Sequence, residues 1–184
     1  ILKSLKPDTG RCAILFPHGV LFRDEEKEMR RKLIEKDLLE CVIGLGPNLF
    51  FNAPMEACIV ICRTAKKPER KNKVLFINAI DEVTRKNAQS YLEDRHISHI
   101  AGAYHSDADE EDYSRLVAFE EIAANNFNLS IPLYVRKKGV EPIALDLQEC
   151  LDDWQVEASS PISIEGGTSD TVENAVQNVG INAG

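Results

Sequence analysis

Four apolar runs of strand length constrain the fold of this chain most strongly. Residues 11–16 read Arg-Cys-Ala-Ile-Leu-Phe without polar alternation, which is typical of a strand covered on both faces, as in a parallel sheet. The other runs are Leu39–Leu45, Ala57–Arg63 and residues 74–80. The last two are predicted to pair with each other as a hairpin. Asp24 precedes a segment with early acids and later bases, which predicts a helix to about Lys36. Strand-like runs with a predicted helix between the first two indicate an α/β fold.

The second half of the chain carries weaker signals. A helix is predicted where Ile97, Ile100, Ala101 and Tyr104 share one face. A short strand at 114–117, a short helix at 120–125 and an edge strand at 133–135 are predicted to follow it. Residues 146–154 are predicted to form another short helix, with four apolar side chains on one side: Leu147, Cys150, Leu151 and Trp154.

Charge divides the chain into two parts. All 22 Lys and Arg residues of the 184 lie at or before Lys138, and residues 139–184 hold nine acids and no base. Residues 1–138 are therefore predicted to form the folded part, and 139–184 an acidic tail that becomes flexible beyond its short helix. The net charge neither favours nor excludes a nucleic-acid partner. No apolar run approaches the ~18 residues of a membrane span, so a membrane is not expected.

The five cysteines are predicted to be reduced thiols, because their number is odd and most lie within apolar runs. Cys58 and Cys62 would lie about 13 Å apart on one strand, too far for a shared zinc ion. His96 and His99 are predicted on the exposed side of their helix. We expect no metal site.

Two loops after predicted strands carry the candidate binding residues. Ligands of α/β sheets bind beyond the carboxyl ends of the strands. His18 and Gly19 follow the first strand, and Asn48, Phe50 and Phe51 follow the second. Adjacent aromatic residues beside Asn can form a wall for a planar ring. The alternative is that one phenylalanine belongs to the core and the other is only a partly exposed loop residue.

No complete active site can be built from these residues alone. Asn52-Ala53-Pro54-Met55 lacks the second proline and the aromatic residue of the Asn-Pro-Pro-aromatic loop found in amino-methyltransferases. Gly44-Leu45-Gly46 lacks the third glycine and the following helix of a dinucleotide fingerprint. We therefore predict that this chain contains no catalytic and no cofactor-binding residues.

The order of segments resembles the DNA methylation subunits of type I restriction-modification systems, which are N6-adenine methyltransferases. The first segment matches a Gly-Arg-apolar-Pro-x-Gly-Val-Leu-Phe-Arg pattern. The resemblance covers roughly residues 10–136 and is carried, in order, by GRCAILFPHGVLFR (10–23), RRKLIE (30–35), VIGL (42–45), NLFF (48–51), ACIVI (57–61), VLFINA (74–79) and FEEI with NLSI and YV (119–135).

The resemblance implies a Rossmann-like α/β fold that uses S-adenosylmethionine. This chain would be the C-terminal half of the catalytic domain, with mixed strands and a terminal antiparallel hairpin. In that family the glycine motif for the cofactor and the catalytic loop come earlier in the chain. Because residue 1 is Ile rather than Met, the chain is interpreted as a piece of a larger protein. Alone, it is expected to be inactive and to bind S-adenosylmethionine weakly.

The resemblance also implies a substrate and partners. Phe50 matches the aromatic residue that packs against the extruded adenine in similar enzymes. The expected partners are DNA and the specificity and restriction subunits of the type I complex, in the cytoplasm. Two alternatives stay open at this point. One is a non-catalytic assembly module or degenerate subunit, and the other is an unrelated nucleotide-binding α/β enzyme.

Overall fold

The computed structural model describes residues 2–50, 54–87, 89–106 and 108–136, all within the first of two compact units, Ile1–Glu141. The predicted boundary at 138 and the predicted helix at 146–154 lie outside these residues and stay predictions. The strands are β1 (Arg11–Pro17), β2 (Leu39–Leu45), β3 (Ala57–Arg63), β4 (Lys73–Ala79), β5 (Thr84–Lys86), β6 (Gln89–Tyr91) and β7 (Ser114–Ala118). The helices are α1 (Lys27–Glu35), α2 (Asp94–His105) and α3 (Phe119–Ala124).

The main sheet has five strands in the order β1-β3-β2-β4-β7. Strands β2 and β4 are parallel, and every other neighbouring pair is antiparallel. This confirms a mixed α/β sheet. The hairpin predicted between β3 and β4 is wrong, because β2 lies between them and pairs with both. All seven residues of β2 are buried, so it needs a neighbour on each side. A separate antiparallel hairpin is formed by β5 and β6.

Strand β1 corrects a second prediction. It is an edge strand that pairs antiparallel with β3, and its residues alternate between exposed and half-buried. The side chain of Leu15 is 49% exposed although it sits in the middle of an unbroken apolar run. The prediction that residues 11–16 form a strand covered on both faces is therefore wrong.

The two faces of the sheet carry separate cores. On one face, α1 contributes Leu33 and Ile34 to a core that includes Phe76 and Ile131. A small apolar cavity of about 70 Å³ remains beneath α1, and Val60 is among its lining residues. On the other face, α2 packs through Ala103 against the alternate residues of β2 and β4.

A buried polar network joins α2 to the sheet. Glu40 of β2 is only 1% exposed, and its Oε1 lies 3.3 Å from the Nη1 of Arg63 and 3.9 Å from that of Arg70. Tyr104 of α2 donates its hydroxyl to Glu40 Oε2 at 2.8 Å. The buried Arg70 donates to the backbone carbonyls of Tyr104 and Ser106. The network thus ties the end of α2 to the amino end of β2.

Other local predictions had mixed outcomes. The helices near 94–105 and 119–124 and the strand near 114–118 are confirmed. The helix after Asp24 is confirmed, but residues 24–26 form a 3₁₀ turn and α1 begins at Lys27 without a side-chain cap. The edge strand predicted at 133–135 is wrong, because Ile131–Leu133 form a 3₁₀ turn that contains Pro132.

Two predictions concern thiols and membranes. Cys41, Cys58 and Cys62 are buried and free, and burial raises the pKa of Cys58 and of Cys62 to about 12. This fits core thiols that stay protonated. Across the part of the chain that the structure describes, we find no helix with the length and apolar character to cross a bilayer.

Candidate functional site

Several loops meet at one edge of the main sheet. The register aligns Pro17 with Ala57, Ala57 with Leu45, and Leu45 with Ala79. Because β1, β2 and β4 run in the same direction, their carboxyl ends share this edge. We call it the carboxyl edge. Both sequence-predicted loops lie here, as expected for a ligand site in an α/β fold.

The loop after β2 is held in place by backbone contacts. Asn48 adopts a left-handed conformation with φ of 59°, which asparagine tolerates better than most residues. Its carbonyl accepts a hydrogen bond from the N–H of Ser90 in β6 at 2.9 Å. At Gly46 a β-carbon would clash with the carbonyl oxygen of Ile80. The loop therefore packs directly against the chain between β4 and β6.

Phe50 lies two residues beyond Asn48, and 39% of its surface is exposed. The expected partial exposure at the carboxyl edge is observed. Phe51 and Asn52 lie outside the described residues, so the predicted exchange of roles between the two phenylalanines stays a prediction. A partly exposed aromatic side chain can contact another planar group.

His18 and Glu56 form a second feature of this edge. The N–H of His18 donates to the carbonyl of Glu56 at 3.2 Å, which extends the β1–β3 ladder by one pair. The Nδ1 of His18 lies 2.8 Å from Glu56 Oε2. A carboxylate only accepts hydrogen bonds, so this Nδ1 carries a proton. Gly19 follows in a 3₁₀ turn, and its carbonyl accepts from the N–H groups of Phe22 and Arg23.

Exposed apolar side chains accompany these polar groups. Phe22 and Met55 are among the largest exposed hydrophobic residues of the described chain, and both lie in the loops that also carry His18 and Glu56. The ring of Phe22 lies 6.1 Å from that of His18. The carboxyl edge thus combines aromatic faces with hydrogen-bonding groups, which suits recognition of a flat polar ring.

His99 of α2 joins three elements beside the carboxyl edge. Its Nδ1 lies 2.6 Å from Glu82 Oε1 and its Nε2 lies 3.1 Å from Glu110 Oε1. Its ring stacks on Tyr113 with centroids 4.0 Å apart. The hydrogen bond with Glu82, and then that with Glu110, raises the pKa of His99. His99 is exposed, as predicted, but it is held by two carboxylates and a stacked ring.

His96 was predicted to be exposed and is buried. Its Nδ1 accepts a hydrogen bond from the N–H of Glu93, and the Glu93 side chain accepts from the backbone of His96. This reciprocal pair caps the start of α2. Among the residues that the structure describes, no group of three His, Cys, Asp or Glu side chains is arranged to hold a metal ion.

Sequence reasoning missed two parts of this edge. Glu56 directly precedes β3, and its pairing with His18 follows only once the antiparallel β1–β3 register is known. The β5–β6 hairpin was also missed. Two short segments, each with a β-forming residue, flank Asn87 and could have indicated this hairpin. Asn87 has a positive φ of 57°.

Comparisons with known proteins place this geometry in context. The family profile described as N-6 DNA Methylase matches residues 1–142. The methylase subunit of the type I restriction enzyme MjaVII from Methanocaldococcus jannaschii is 39% identical over 152 residues, which cover 79% of this chain and 26% of the relative. The HindI methylase subunit from Haemophilus influenzae is 33% identical, with 73% and 32% covered.

A solved structure agrees with these relatives. The methyltransferase subunit of a type I restriction-modification system from Streptococcus thermophilus is 39% identical, with a TM-score of 0.67, 73% of this chain covered and 28% of that chain. This chain spans about a quarter of the length of the curated relatives MjaVIII and MjaVII. From these matches, the chain belongs to the N-6 DNA methylase family.

Proposed function

We propose that this chain forms the C-terminal half of the catalytic domain in a type I methylase subunit. The complete subunit transfers a methyl group from S-adenosylmethionine to N6 of adenine in DNA, in the cytoplasm. It acts together with specificity and restriction subunits. The family match and relatives that are named as subunits of type I restriction enzymes support this proposal.

The open edge of β1 supports a place within a larger sheet. Gly10 and His18 are hydrogen-bonded to the β3 side, so the alternate residues between them point their backbone groups outward. The outward N–H groups belong to Arg11, Ala13 and Leu15. None of them has a backbone partner among the described residues. An exposed edge of this kind normally pairs with or is covered by another segment.

Neither of two cavities among the described residues suits S-adenosylmethionine. The cavity beneath α1 is lined by apolar residues and Arg30, and its volume of about 70 Å³ is well below the ~300 Å³ of a typical cofactor pocket. The larger cleft beside β7 is open and lined by four consecutive acids from Asp109 to Asp112. We therefore assign cofactor binding and methyl transfer to other parts of the complete subunit.

The role proposed for this part is base stacking by Phe50, which lies in the loop after β2 and is 39% exposed. The N6 amine of adenine is hidden in duplex DNA, so the base must be extruded before it can react. Extrusion loses stacking, and an aromatic side chain restores ~1–3 kcal/mol per base. Phe50 would supply this stack. Asn48, His18 and Gly19 border the same edge, and Phe51 is its proposed neighbour.

The test uses the complete methylase subunit with its partners. Phe50→Ala should slow methylation by about 5- to 150-fold, the rate equivalent of one stack, while the melting temperature changes little. Phe50→Trp should restore most of the rate. Ile97→Ala, at an exposed site on α2, is the matched control and should leave the rate unchanged.

Two results would contradict the proposal. A large fall in melting temperature with normal specific activity would make Phe50 a core residue. A complete wild-type subunit that assembles but does not methylate adenine would favour the alternative of a non-catalytic assembly module.

A further inference from the structure

The β5–β6 hairpin carries a local excess of positive charge. Its residues 84–91 include Arg85 and Lys86 and no acid, whereas residues 1–138 as a whole are nearly balanced, with 22 bases and 21 acids. Both basic side chains are exposed. Arg85 makes no ion pair with any residue that the structure describes. Positive charge without an internal partner is available to an external anion.

Acids near the hairpin are already engaged. A hydrogen bond from Thr84, followed by contributions from Arg95 and Lys86, lowers the pKa of Glu93, so that carboxylate stays ionised and held. Glu82 is bound by His99. The positive charge of the hairpin is therefore only partly balanced. Of its two cations only Lys86 interacts with Glu93, and Glu93 also interacts with Thr84 and Arg95.

One face of the hairpin presents a mixed set of groups. The register pairs Thr84 with Tyr91 and Lys86 with Gln89, so these four side chains share a face. Tyr91 is 43% exposed, and its hydroxyl donates to Gln89 Oε1 at 3.2 Å. A cation, an amide and an aromatic ring on one exposed face are the side-chain types that contact nucleic-acid backbones and sugars.

The hairpin is fixed beside the proposed base site. Ser90 is buried and its N–H donates to Asn48 at 2.9 Å, while Phe50 lies two residues further along the loop. Two residues span at most about 7 Å. A DNA strand whose extruded base reaches Phe50 therefore has its neighbouring phosphates within reach of an element rigidly joined to the same loop.

We propose that the β5–β6 hairpin contacts the DNA phosphate backbone next to the extruded base. The phosphate ligands are Lys86, on the face just described, and the exposed Arg85, which pairs with Ser90 on the opposite face. This inference rests on the proposed function and deepens it. Phosphate contacts of this kind position the protein on DNA without reading its sequence. Charge complementarity and the connection to the Phe50 loop identify DNA, rather than a protein subunit, as the partner.

The test measures DNA binding by the complete methylase subunit in its assembled complex at several salt concentrations. Two phosphate contacts contribute about 1.8 to the slope of log K against log salt. The double variant Arg85→Ala/Lys86→Ala should lower the slope by about this amount and weaken binding to all sequences alike. The variant Arg85→Glu/Lys86→Glu should weaken binding further.

The matched control changes the same charge at the opposite edge of the sheet. Lys71 and Lys73 are exposed and lie at the amino end of β4. Lys71→Ala/Lys73→Ala should leave the salt slope at its wild-type value. Both double variants should melt at the wild-type temperature, because all four side chains are on the surface.

Three outcomes would overturn the inference. The first is an unchanged slope in the hairpin variant, and the second is an equal fall in the control. The third is loss of complex assembly with the slope of the remaining complex intact, which would assign the face to a partner subunit. These outcomes count against the inference only if the wild-type complex methylates DNA in the same assay. If the wild type fails to methylate, the proposed function fails instead.

Discussion

Removing the carboxylate of Glu40 should destabilise the fold more than any other single polar substitution on the sheet. Glu40 is 1% exposed and faces the guanidinium groups of Arg63 and Arg70. Arg70 is itself only 3% exposed. In Glu40→Ala the charge of Arg70 stays buried and loses this carboxylate, while its hydrogen bonds to the carbonyls of Tyr104 and Ser106 remain. Breaking a buried ion pair by removing one partner costs about 3–5 kcal/mol.

Smaller changes in the same network should cost less. Tyr104→Phe removes one hydrogen bond to a carboxylate, worth about 1.5–3 kcal/mol, and leaves the ion pairs in place. Glu40→Gln keeps an acceptor for the Tyr104 hydroxyl but loses the charge, so its cost should lie between those of the other two variants. The exposed pair of Arg31 with Glu35, 3.8 Å apart, supplies the control. Glu35→Gln should change stability by no more than about 0.5 kcal/mol.

Urea unfolding of this chain, followed by circular dichroism, measures these differences. Glu40→Ala should also lower the melting temperature by roughly 10 °C. In a double-mutant cycle, Glu40→Ala and Tyr104→Phe should show a coupling energy of at least about 0.5 kcal/mol, because the two side chains share a hydrogen bond. A cost below about 1 kcal/mol for Glu40→Ala would refute the argument that Arg70 depends on this carboxylate.

Three further predictions concern a charge, a cavity and a glycine. Because the pKa of His99 is raised in the folded state, the stabilisation from its protonated form is complete below the ordinary histidine pKa. That stabilisation is lost as pH rises through the raised value. His99→Gln should therefore flatten the pH dependence of the melting temperature above about pH 6.5. Val60→Ile adds a methylene to the cavity beneath α1 and should stabilise the chain by up to about 0.8 kcal/mol, whereas Val74→Ile, at a fully buried site outside that cavity lining, should cost about 1–3 kcal/mol in urea unfolding. Gly46→Ala forces a β-carbon against backbone and should lower both stability and methylation by the complete subunit, while in Gly44→Ala the neighbour is the side-chain end of Ile131 at 2.6 Å, which can move, so the loss should be smaller.

The strands were predictable where local pattern decides them. Leu39–Leu45 and Ala57–Arg63 were predicted with the bounds that the structure gives. Each is a mostly apolar run of strand length that is followed by a turn or loop, and this combination favours a buried strand. Strand order depends instead on contacts between distant segments. The β3–β4 hairpin was predicted from nearness in sequence and failed because the more buried β2 takes the place between them.

The candidate site was predictable only in part, for the same reason. The positions of His18 and Phe50 after strands were enough to place both at the carboxyl edge. Glu56 and the β5–β6 hairpin required the register and the backbone contacts of Asn48, which a single sequence does not reveal. His96 was misplaced because a histidine that caps a helix and one that faces solvent have the same spacing from Ile100.

The two outermost strands of the main sheet, β1 and β7, differ in whether their outward backbone groups have partners. At β7, alternate N–H groups also point outward, but the chain supplies its own acceptors. Ser114 donates to the carbonyl of Glu110 at 2.8 Å, and Leu116 donates to Asp109 Oδ1, also at 2.8 Å. No described residue supplies an acceptor to the outward N–H groups of β1, where Leu15 is half exposed. The asymmetry fits a sheet that is closed by this chain beyond β7 and continued by other residues of the complete subunit beyond β1.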